Sequence, residues 1–164
     1  MNSEQVKLVQ SSFELVRPIA DTAARIFYER LFILDPSLRP MFKGDMVTQG
    51  RMLMSVLSTA VKGLTDLGAL VPVLRNLGAR HVGYGVRDEH YATVGSALLW
   101  TLDQGLGKGF TQDVREAWTE AYRLLADVMQ FGALEVQRKQ RQYSGATSHP
   151  MEWMVCAYSA DRDR

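Results

Sequence analysis

Apolar residues recur at intervals of three and four positions through almost the whole chain, and this period limits the fold more than any other feature of the sequence. Nowhere do apolar and polar residues alternate for long enough to indicate a β-strand. Proline and glycine separate the periodic stretches from one another. The pattern therefore predicts an all-α protein, with helices at about residues 3–16, 19–32, 48–64, 71–82, 88–104 and 111–142.

The ends of these helices carry their own signals. Ser3 and Asp88 are residue types that often cap a helix N-terminus, and we expect each to do so here. Prolines between the second and third helices predict turns or a short helix at about residues 35–40. Glycines at positions 83 and 85 predict the end of the fourth helix.

The length of 164 residues is enough for one well-covered core and too short for two ordinary domains. The composition changes after Tyr143, where the sequence SGATSHP is typical of a linker. We therefore expect one domain at residues 1–143 and a C-terminal tail of unknown role at residues 144–164.

Charge and cysteine content exclude several classes of protein. Lys and Arg number 19 against 18 Asp and Glu, so the chain carries no basic field to hold nucleic acid or an anionic membrane. The single cysteine, Cys156, excludes an internal disulfide framework. The first residues do not resemble a signal peptide, and no apolar run approaches the roughly 18 residues that span a bilayer. We expect a soluble, cytoplasmic protein.

Five of the predicted helices each carry one polar side chain on an otherwise apolar face. These residues are Tyr28, Gln49, His81, Tyr91 and Glu135. A single such residue is more often a hydrogen-bonded core residue than a ligand, but five on five helices can converge on one interior pocket. Burying Glu135 without a partner would cost several kcal/mol, so we expect it to be paired.

The apolar neighbours of these residues define the faces that we expect to be buried. They are, helix by helix, Ala24, Phe27, Leu31 and Phe32; Met52, Leu53, Val56, Leu57 and Ala60; Leu70, Val73, Leu74 and Leu77; Val94, Leu98 and Thr101; and Trp118, Ala121, Leu125 and Val128. His90 follows the expected cap of the fifth helix, and we expect it to face solvent.

In this order the residues resemble the globin family, and within it the flavohaemoglobins, the single-domain bacterial globins and neuroglobin. The matching segments lie within roughly residues 3–137 and include FYERLF at 27–32, DPSLRPMF at 35–42, LGARHVGYGV at 77–86, YATVGSALLWTL at 91–102 and EAWTEAY at 116–122. The 32 residues from Gln49 to His81 match the interval between the distal and proximal haem positions of those globins. The resemblance implies a globin fold, which is a three-on-three helical sandwich around a haem.

The resemblance also implies roles for individual residues. His81 is similar to the proximal ligand of the haem iron, and Phe42 to the phenylalanine that packs on the haem face. Tyr28 and Gln49 resemble the distal pair that donates hydrogen bonds to an O₂ ligand, with Leu53 one helical turn beyond Gln49. Because no Cys-x-x-Cys-His sequence is present, the implied cofactor is a noncovalent haem b.

Behind the implied iron ligand, Tyr91 and Glu135 match flavohaemoglobin residues that hydrogen-bond to the proximal histidine. Such bonds would fix the ring of His81 and raise its basicity. Val86 and Val94 complete the expected cofactor-binding set. The residues expected to take part in catalysis are Tyr28, Gln49, Tyr91 and Glu135.

The resemblance therefore implies reversible binding of O₂, NO and CO, tight O₂ binding, and a nitric oxide dioxygenase activity that detoxifies NO. Residues 144–164 are too few to bind FAD or NADH, so we expect a separate reductase or electron donor. The alternative is an O₂ store, carrier or scavenger without turnover. Gas sensing and a globin-like module without haem are further alternatives, and the presence of His81 and Phe42 weighs against the last. We expect a monomer or weak dimer.

Overall fold

The structure, a computed structural model, describes residues 1–146, and the chain from residue 147 onward, including Cys156, lies outside the described residues. Six α-helices and three short 3₁₀ turns account for most of this part, which contains no strand, and the all-α prediction is confirmed. The helices are α1 Ser3–Val16, α2 Ala20–Leu34, α3 Met46–Gly63, α4 Leu67–Gly83, α5 Asp88–Leu106 and α6 Gln112–Ala146. The 3₁₀ turns are Arg17–Ile19, Pro36–Met41 and Gly107–Gly109. None of the helices within residues 1–146 has the length and apolar character needed to cross a bilayer.

Capping residues place several helix starts earlier than predicted. Asn2 caps α1, with its side chain accepting from the Gln5 backbone N–H and its own N–H donating to the Gln5 side chain, each at 2.9 Å. The predicted cap, Ser3, is instead the first helical residue. Asp45 and Asp66 cap α3 and α4 by accepting backbone N–H groups, so both helices begin before the predicted positions.

The six helices form two layers of three. Contacts join α1 to α3 and α3 to α4 in one layer, and α2 to α5 and α5 to α6 in the other. Across the layers α1 packs on α6, α2 on α3, and α4 on α6. This arrangement is the three-on-three sandwich that the resemblance to globins implies.

The buried faces of α3 and α4 are narrower than predicted. Met52, Val56 and Val73 were expected on buried faces, yet they are 59%, 42% and 53% exposed. Each of these helices turns only one narrow stripe of side chains toward the core, and its other side chains face outward. In α3 that stripe includes Leu57 and Ala60, and the three exposed side chains lie just outside the inward stripes.

Two glycines allow α4 and α6 to approach more closely than side chains would permit. A Cβ atom added to Gly78 would collide with the backbone carbonyl of Met129, and one added to Gly132 would collide with the backbone carbonyl of Arg75. The backbones of the two helices are therefore in direct contact at this crossing. The position of α4 depends on α6 more than on any other element.

A buried hydrogen bond joins α1 to α6 at the centre of the core. The indole Nε1 of Trp118, a residue only 1% exposed, donates to Ser12 Oγ at 2.9 Å. The Phe13 ring lies 6.2 Å from the Trp118 ring, centroid to centroid. Ser12 thus supplies the acceptor that a buried indole N–H requires.

We expect Ser12→Ala to lower the free energy of unfolding by about 1–3 kcal/mol, because it leaves the Trp118 N–H buried without an acceptor. Urea denaturation followed by tryptophan fluorescence measures this loss. Ser11→Ala is the matched control, since Ser11 is exposed and bonds only within its own helix. Equal stability of the two variants would contradict the assigned role of Ser12.

Candidate functional site

His81 lies near the C-terminal end of α4 with its ring half-buried. Its Nδ1 lies 2.8 Å from the backbone carbonyl oxygen of Leu77. Because a carbonyl can only accept, Nδ1 carries the proton and donates, which leaves the lone pair on Nε2. Burial lowers the pKa of His81, an effect that the Leu77 hydrogen bond partly offsets. The ring is thus an oriented neutral imidazole with Nε2 available to bind a metal.

The backbone fixes the end of α4 directly at this residue. The N–H of Val86 donates to the His81 carbonyl and the N–H of Gly85 donates to the Val82 carbonyl, each at 3.1 Å. Gly85 has φ +78°, the left-handed conformation that this helix-ending motif requires. Gly85 rather than Gly83 is therefore the terminating glycine, and the motif holds the carbonyl of His81, whereas the Leu77 carbonyl holds its ring.

Tyr28 and Gln49 are brought together, as the sequence predicts. The Tyr28 hydroxyl donates to the backbone carbonyl of Gln49 at 3.4 Å. This distance is longer than the roughly 3.0 Å that limits most O–H···O hydrogen bonds, so the contact is weak and leaves the hydroxyl free to turn toward a better acceptor. Burial raises the pKa of Tyr28 to about 12, so this phenol keeps its proton near neutral pH. Within residues 1–146 the Gln49 carboxamide makes no hydrogen bond to another side chain, so it too is available.

Three aromatic rings, those of Phe27, Phe32 and Phe42, pack against the Tyr28 side chain. The Phe42 ring packs edge-on against it at 5.2 Å between centroids, and the Phe32 ring stacks on it at 5.9 Å. Phe32 also contacts Phe42, at 5.6 Å. Phe42, predicted to pack on a cofactor, thus also supports the predicted distal tyrosine.

Leu53 lines a small internal cavity of about 20 Å³. The wall is almost entirely apolar and includes Phe27, Leu57, Leu98 and Trp118. Water needs two to four polar partners, which this wall does not provide, whereas an uncharged diatomic molecule needs none.

Tyr91, in the first turn of α5, has a buried phenol oxygen with no hydrogen-bond partner within residues 1–146. Burial and the charge of Asp88 raise its pKa, so the phenol is a neutral donor without an acceptor. An orphaned buried donor is uncommon in a folded protein and is expected where a polar acceptor binds. Its backbone carbonyl accepts a hydrogen bond from the hydroxyl of Tyr122.

The structure does not form the expected hydrogen bonds among His81, Tyr91 and Glu135. The carboxylate of Glu135 instead pairs with Arg75, Oε1 to Nη2 at 2.6 Å and Oε2 to Nε at 3.2 Å. Its side chain is 42% exposed, so the expectation of a buried glutamate is wrong, although the expected pairing occurs. The His81 Nδ1 is already occupied by the Leu77 carbonyl.

His90 is buried, being only 5% exposed, which corrects the expectation that it faces solvent. Its Nδ1 accepts from the backbone N–H of Arg87 at 3.1 Å and so closes the first turn of α5. Asp88, the expected cap, is the first residue of that helix. His90 is thus a structural residue at the helix start.

Sequence reasoning did not find Arg75, Phe32 as a support for Tyr28, or Tyr122. No periodic signal distinguishes these residues from ordinary surface or core side chains. The glycines of the α4–α6 crossing did carry a signal, because a glycine inside a helix often marks close backbone approach.

These side chains fit a haem. His81 offers one nitrogen with the tautomer of a metal ligand, and Tyr91 offers a buried donor without an acceptor. Phe42, Val86 and Val94 are only partly buried, as expected of apolar side chains that would pack against a flat apolar group.

Comparison with known proteins places the chain among relatives of the same fold. The flavohemoprotein of Vibrio cholerae is 32% identical over 145 residues, which cover 85% of this chain and 37% of that protein. The chain spans between 33% and 38% of the length of the flavohemoproteins it matches.

Two solved structures have the same fold. One is an engineered carbene transferase made from a candidate nitric oxide dioxygenase of Rhodothermus marinus, with a TM-score of 0.77, 23% identity, and coverage of 86% of this chain and 99% of that one. The other is a bacterial globin from Campylobacter jejuni, with a TM-score of 0.73, 22% identity, and coverage of 84% and 99%. A family model described as Globin matches residues 25–129, and the chain therefore belongs to the globin family.

Proposed function

We propose that this chain binds a noncovalent haem b through His81 and uses it to bind O₂ tightly and convert NO to nitrate with an electron from a separate donor. The observation that carries the proposal is that the buried Tyr28 hydroxyl lies 3.4 Å from the backbone carbonyl oxygen of Gln49, which brings residues 28 and 49 together. The names of the related proteins, flavohemoprotein and candidate nitric oxide dioxygenase, support the same reaction class. A bound haem would supply an open iron position for O₂, NO or CO.

On the proximal side the chain orients the ligand nitrogen. The Leu77 carbonyl holds the His81 ring through Nδ1, and the turn at Gly85 holds the His81 backbone. A ring fixed at both points presents Nε2 in one direction, so little ordering entropy remains to be lost on binding iron. The acceptor is a neutral carbonyl, which raises the basicity of the ring less than a carboxylate would.

On the proposed distal side the two candidate donors are the Tyr28 hydroxyl and the Gln49 carboxamide. The Tyr28 phenol keeps its proton because its pKa is raised to about 12, and its weak bond to the Gln49 carbonyl is readily exchanged for a stronger one. The Gln49 carboxamide can add an N–H donor. Phe42 and Leu53 provide the apolar surroundings that exclude water and strengthen these bonds.

The proposed reaction balances as one NO, one O₂ and one electron giving one nitrate ion. To test it, reduced haem-loaded protein in air-saturated buffer is mixed with NO in a stopped-flow instrument, and nitrate is measured. We expect nitrate close to the NO consumed, with rapid oxidation of the haem. Recovery of NO without nitrate would contradict the proposed activity.

A second candidate function is O₂ storage, carriage or scavenging without turnover. The observation that favours it is the absence, within residues 1–146, of hydrogen bonds from Tyr91 or Glu135 to His81, because those bonds were the feature that favoured an enzyme. The same stopped-flow experiment separates the two functions. With a reductant added, a dioxygenase would convert many NO molecules per haem, whereas a storage protein would release O₂ reversibly and its oxidised haem would be re-reduced too slowly to sustain repeated conversion.

We expect Tyr28→Phe to speed O₂ dissociation from the haem-loaded protein about tenfold to a hundredfold, as expected for losing one hydrogen bond to a charged acceptor. CO binding should change far less, because CO gains little from a donor. Displacement of O₂ by CO in stopped-flow measures the rate. Tyr84→Phe is the matched control, since Tyr84 is 63% exposed and lies beside His81. An unchanged dissociation rate in Tyr28→Phe would remove the basis for tight O₂ binding.

A further inference from the structure

Arg75 joins α4 to α6 through contacts that the proposed function does not use. Its guanidinium makes two hydrogen bonds to the Glu135 carboxylate, at 2.6 and 3.2 Å. It also lies over the Phe131 ring, 4.8 Å from the ring centroid. Glu135 and Phe131 are one helical turn apart on α6, so the guanidinium is held on two sides by one helix.

The backbone of Arg75 is fixed at the same place. Its carbonyl lies against Gly132, where no Cβ could be accommodated. Gly132 is between Phe131 and Glu135 in sequence, so one turn of α6 contacts both the main chain and the side chain of Arg75. His81 follows Arg75 by six residues in the same helix, about 9 Å along the axis.

We propose that Arg75 and Glu135 form a clamp that positions His81. The clamp fixes the rotation of α4 about its own axis and the position of α4 along α6. The inference rests on the proposed function, in which His81 holds the haem iron. This role for Glu135 differs from the one that the resemblance to flavohaemoglobins implies, which is a hydrogen bond to the proximal histidine. Glu135 acts on the iron ligand through Arg75 and the helix and not as a hydrogen-bond acceptor for the imidazole.

The geometry explains why the two roles exclude each other. Both carboxylate oxygens of Glu135 are engaged by Arg75, and the Nδ1 of His81 is engaged by Leu77. The Arg75 hydrogen bond lowers the pKa of Glu135, which keeps it ionised and paired near neutral pH. Arg75 and Glu135 are positioning residues, since neither would touch the cofactor.

The test compares Arg75→Met, Glu135→Gln and the double variant of the haem-loaded protein. The readouts are the iron–histidine stretching band in resonance Raman spectra of the reduced protein and the rate of haem transfer to excess apomyoglobin. A clamp predicts that both single variants shift or broaden the band in the same way. It also predicts that haem loss rises about two- to fivefold in each and no further in the double variant.

Arg123→Met is the matched control, because Arg123 pairs with Glu120 at 3.1 Å on α6 alone and does not reach α4. It should leave the band and the rate unchanged. A band shift in Glu135→Gln that is absent or opposite in Arg75→Met would indicate a direct bond from Glu135 to His81 and overturn the clamp. Loss of stability with an unchanged band in both variants would also overturn it.

Amide hydrogen exchange of the haem-free protein separates this inference from the proposed function. Arg75→Met should speed exchange at residues 77–82 and leave α1 unchanged. If the wild-type chain does not take up haem but this exchange rises, the proposed function fails while the coupling of α4 to α6 through Arg75 stands. If exchange at residues 77–82 is unchanged, the clamp is wrong whether or not haem binds.

Discussion

His81→Ala is expected to produce a folded helical protein that binds haem about a hundredfold or more weakly, because it removes the side chain that we propose ligates the iron. The fold itself should change little. The ring is half-buried, its desolvation already opposes the charged form, and its side-chain hydrogen bond is to a carbonyl within its own helix. Haem titration followed at the Soret band measures the affinity, and circular dichroism measures the helix content.

The control for this variant is His90→Gln, because His90 is the only other histidine among the described residues. Glutamine can still accept the Arg87 N–H, so we expect full haem binding. His81→Gly should also regain iron ligation when free imidazole is added. Wild-type haem affinity in His81→Ala would show that another residue ligates the iron.

Gly132→Ala is expected to lower the stability of the protein. A Cβ there meets the Arg75 backbone, which cannot rotate away, so α4 and α6 must move apart at an overpacking cost of about 3 kcal/mol. The higher helix propensity of alanine returns about 1 kcal/mol. The net loss of about 2 kcal/mol corresponds to a fall in Tm of about 4–8 °C, measured by thermal unfolding of the haem-free protein.

Gly83→Ala provides a control of opposite sign. Gly83 is the last residue of α4, and a Cβ added there meets nothing within 4 Å. Only the propensity gain applies, so its Tm should stay the same or rise slightly. If Gly132→Ala and Gly83→Ala unfold at the same temperature, the close approach of α4 and α6 does not contribute as described.

The sequence was sufficient to predict the helices and the closeness of Tyr28 to Gln49. Periodicity places Tyr28 on the buried face of α2, and the structure puts its hydroxyl against Gln49. These predictions succeed because a helix is a local structure with a fixed repeat, so residues three, four or seven apart share a face wherever the helix packs. The position of His81 near the end of α4, before the terminating glycine, follows from the same local rules.

Predictions that required knowledge of what faces a helix were less successful. Glu135 lies seven residues beyond Val128 on the same stripe, but at this position the stripe has left the buried core, so Glu135 is 42% exposed and pairs with Arg75 of α4. His90 was expected outside because a polar residue near a helix start is usually solvated, yet its ring completes the first turn. The outcome for Glu135 depends on a tertiary contact that no local pattern encodes, whereas the outcome for His90 depends on a local capping hydrogen bond to the backbone three residues earlier.

The most direct test of the central claim is an absorption titration of the wild-type protein with haem, followed by reduction and exposure to O₂ and CO. The account predicts one haem per chain, a reduced form in which the iron has one protein ligand, and distinct spectra on adding each gas. A protein that remains colourless after haem addition would contradict it. A reduced form with protein ligands on both sides of the iron would contradict it as well.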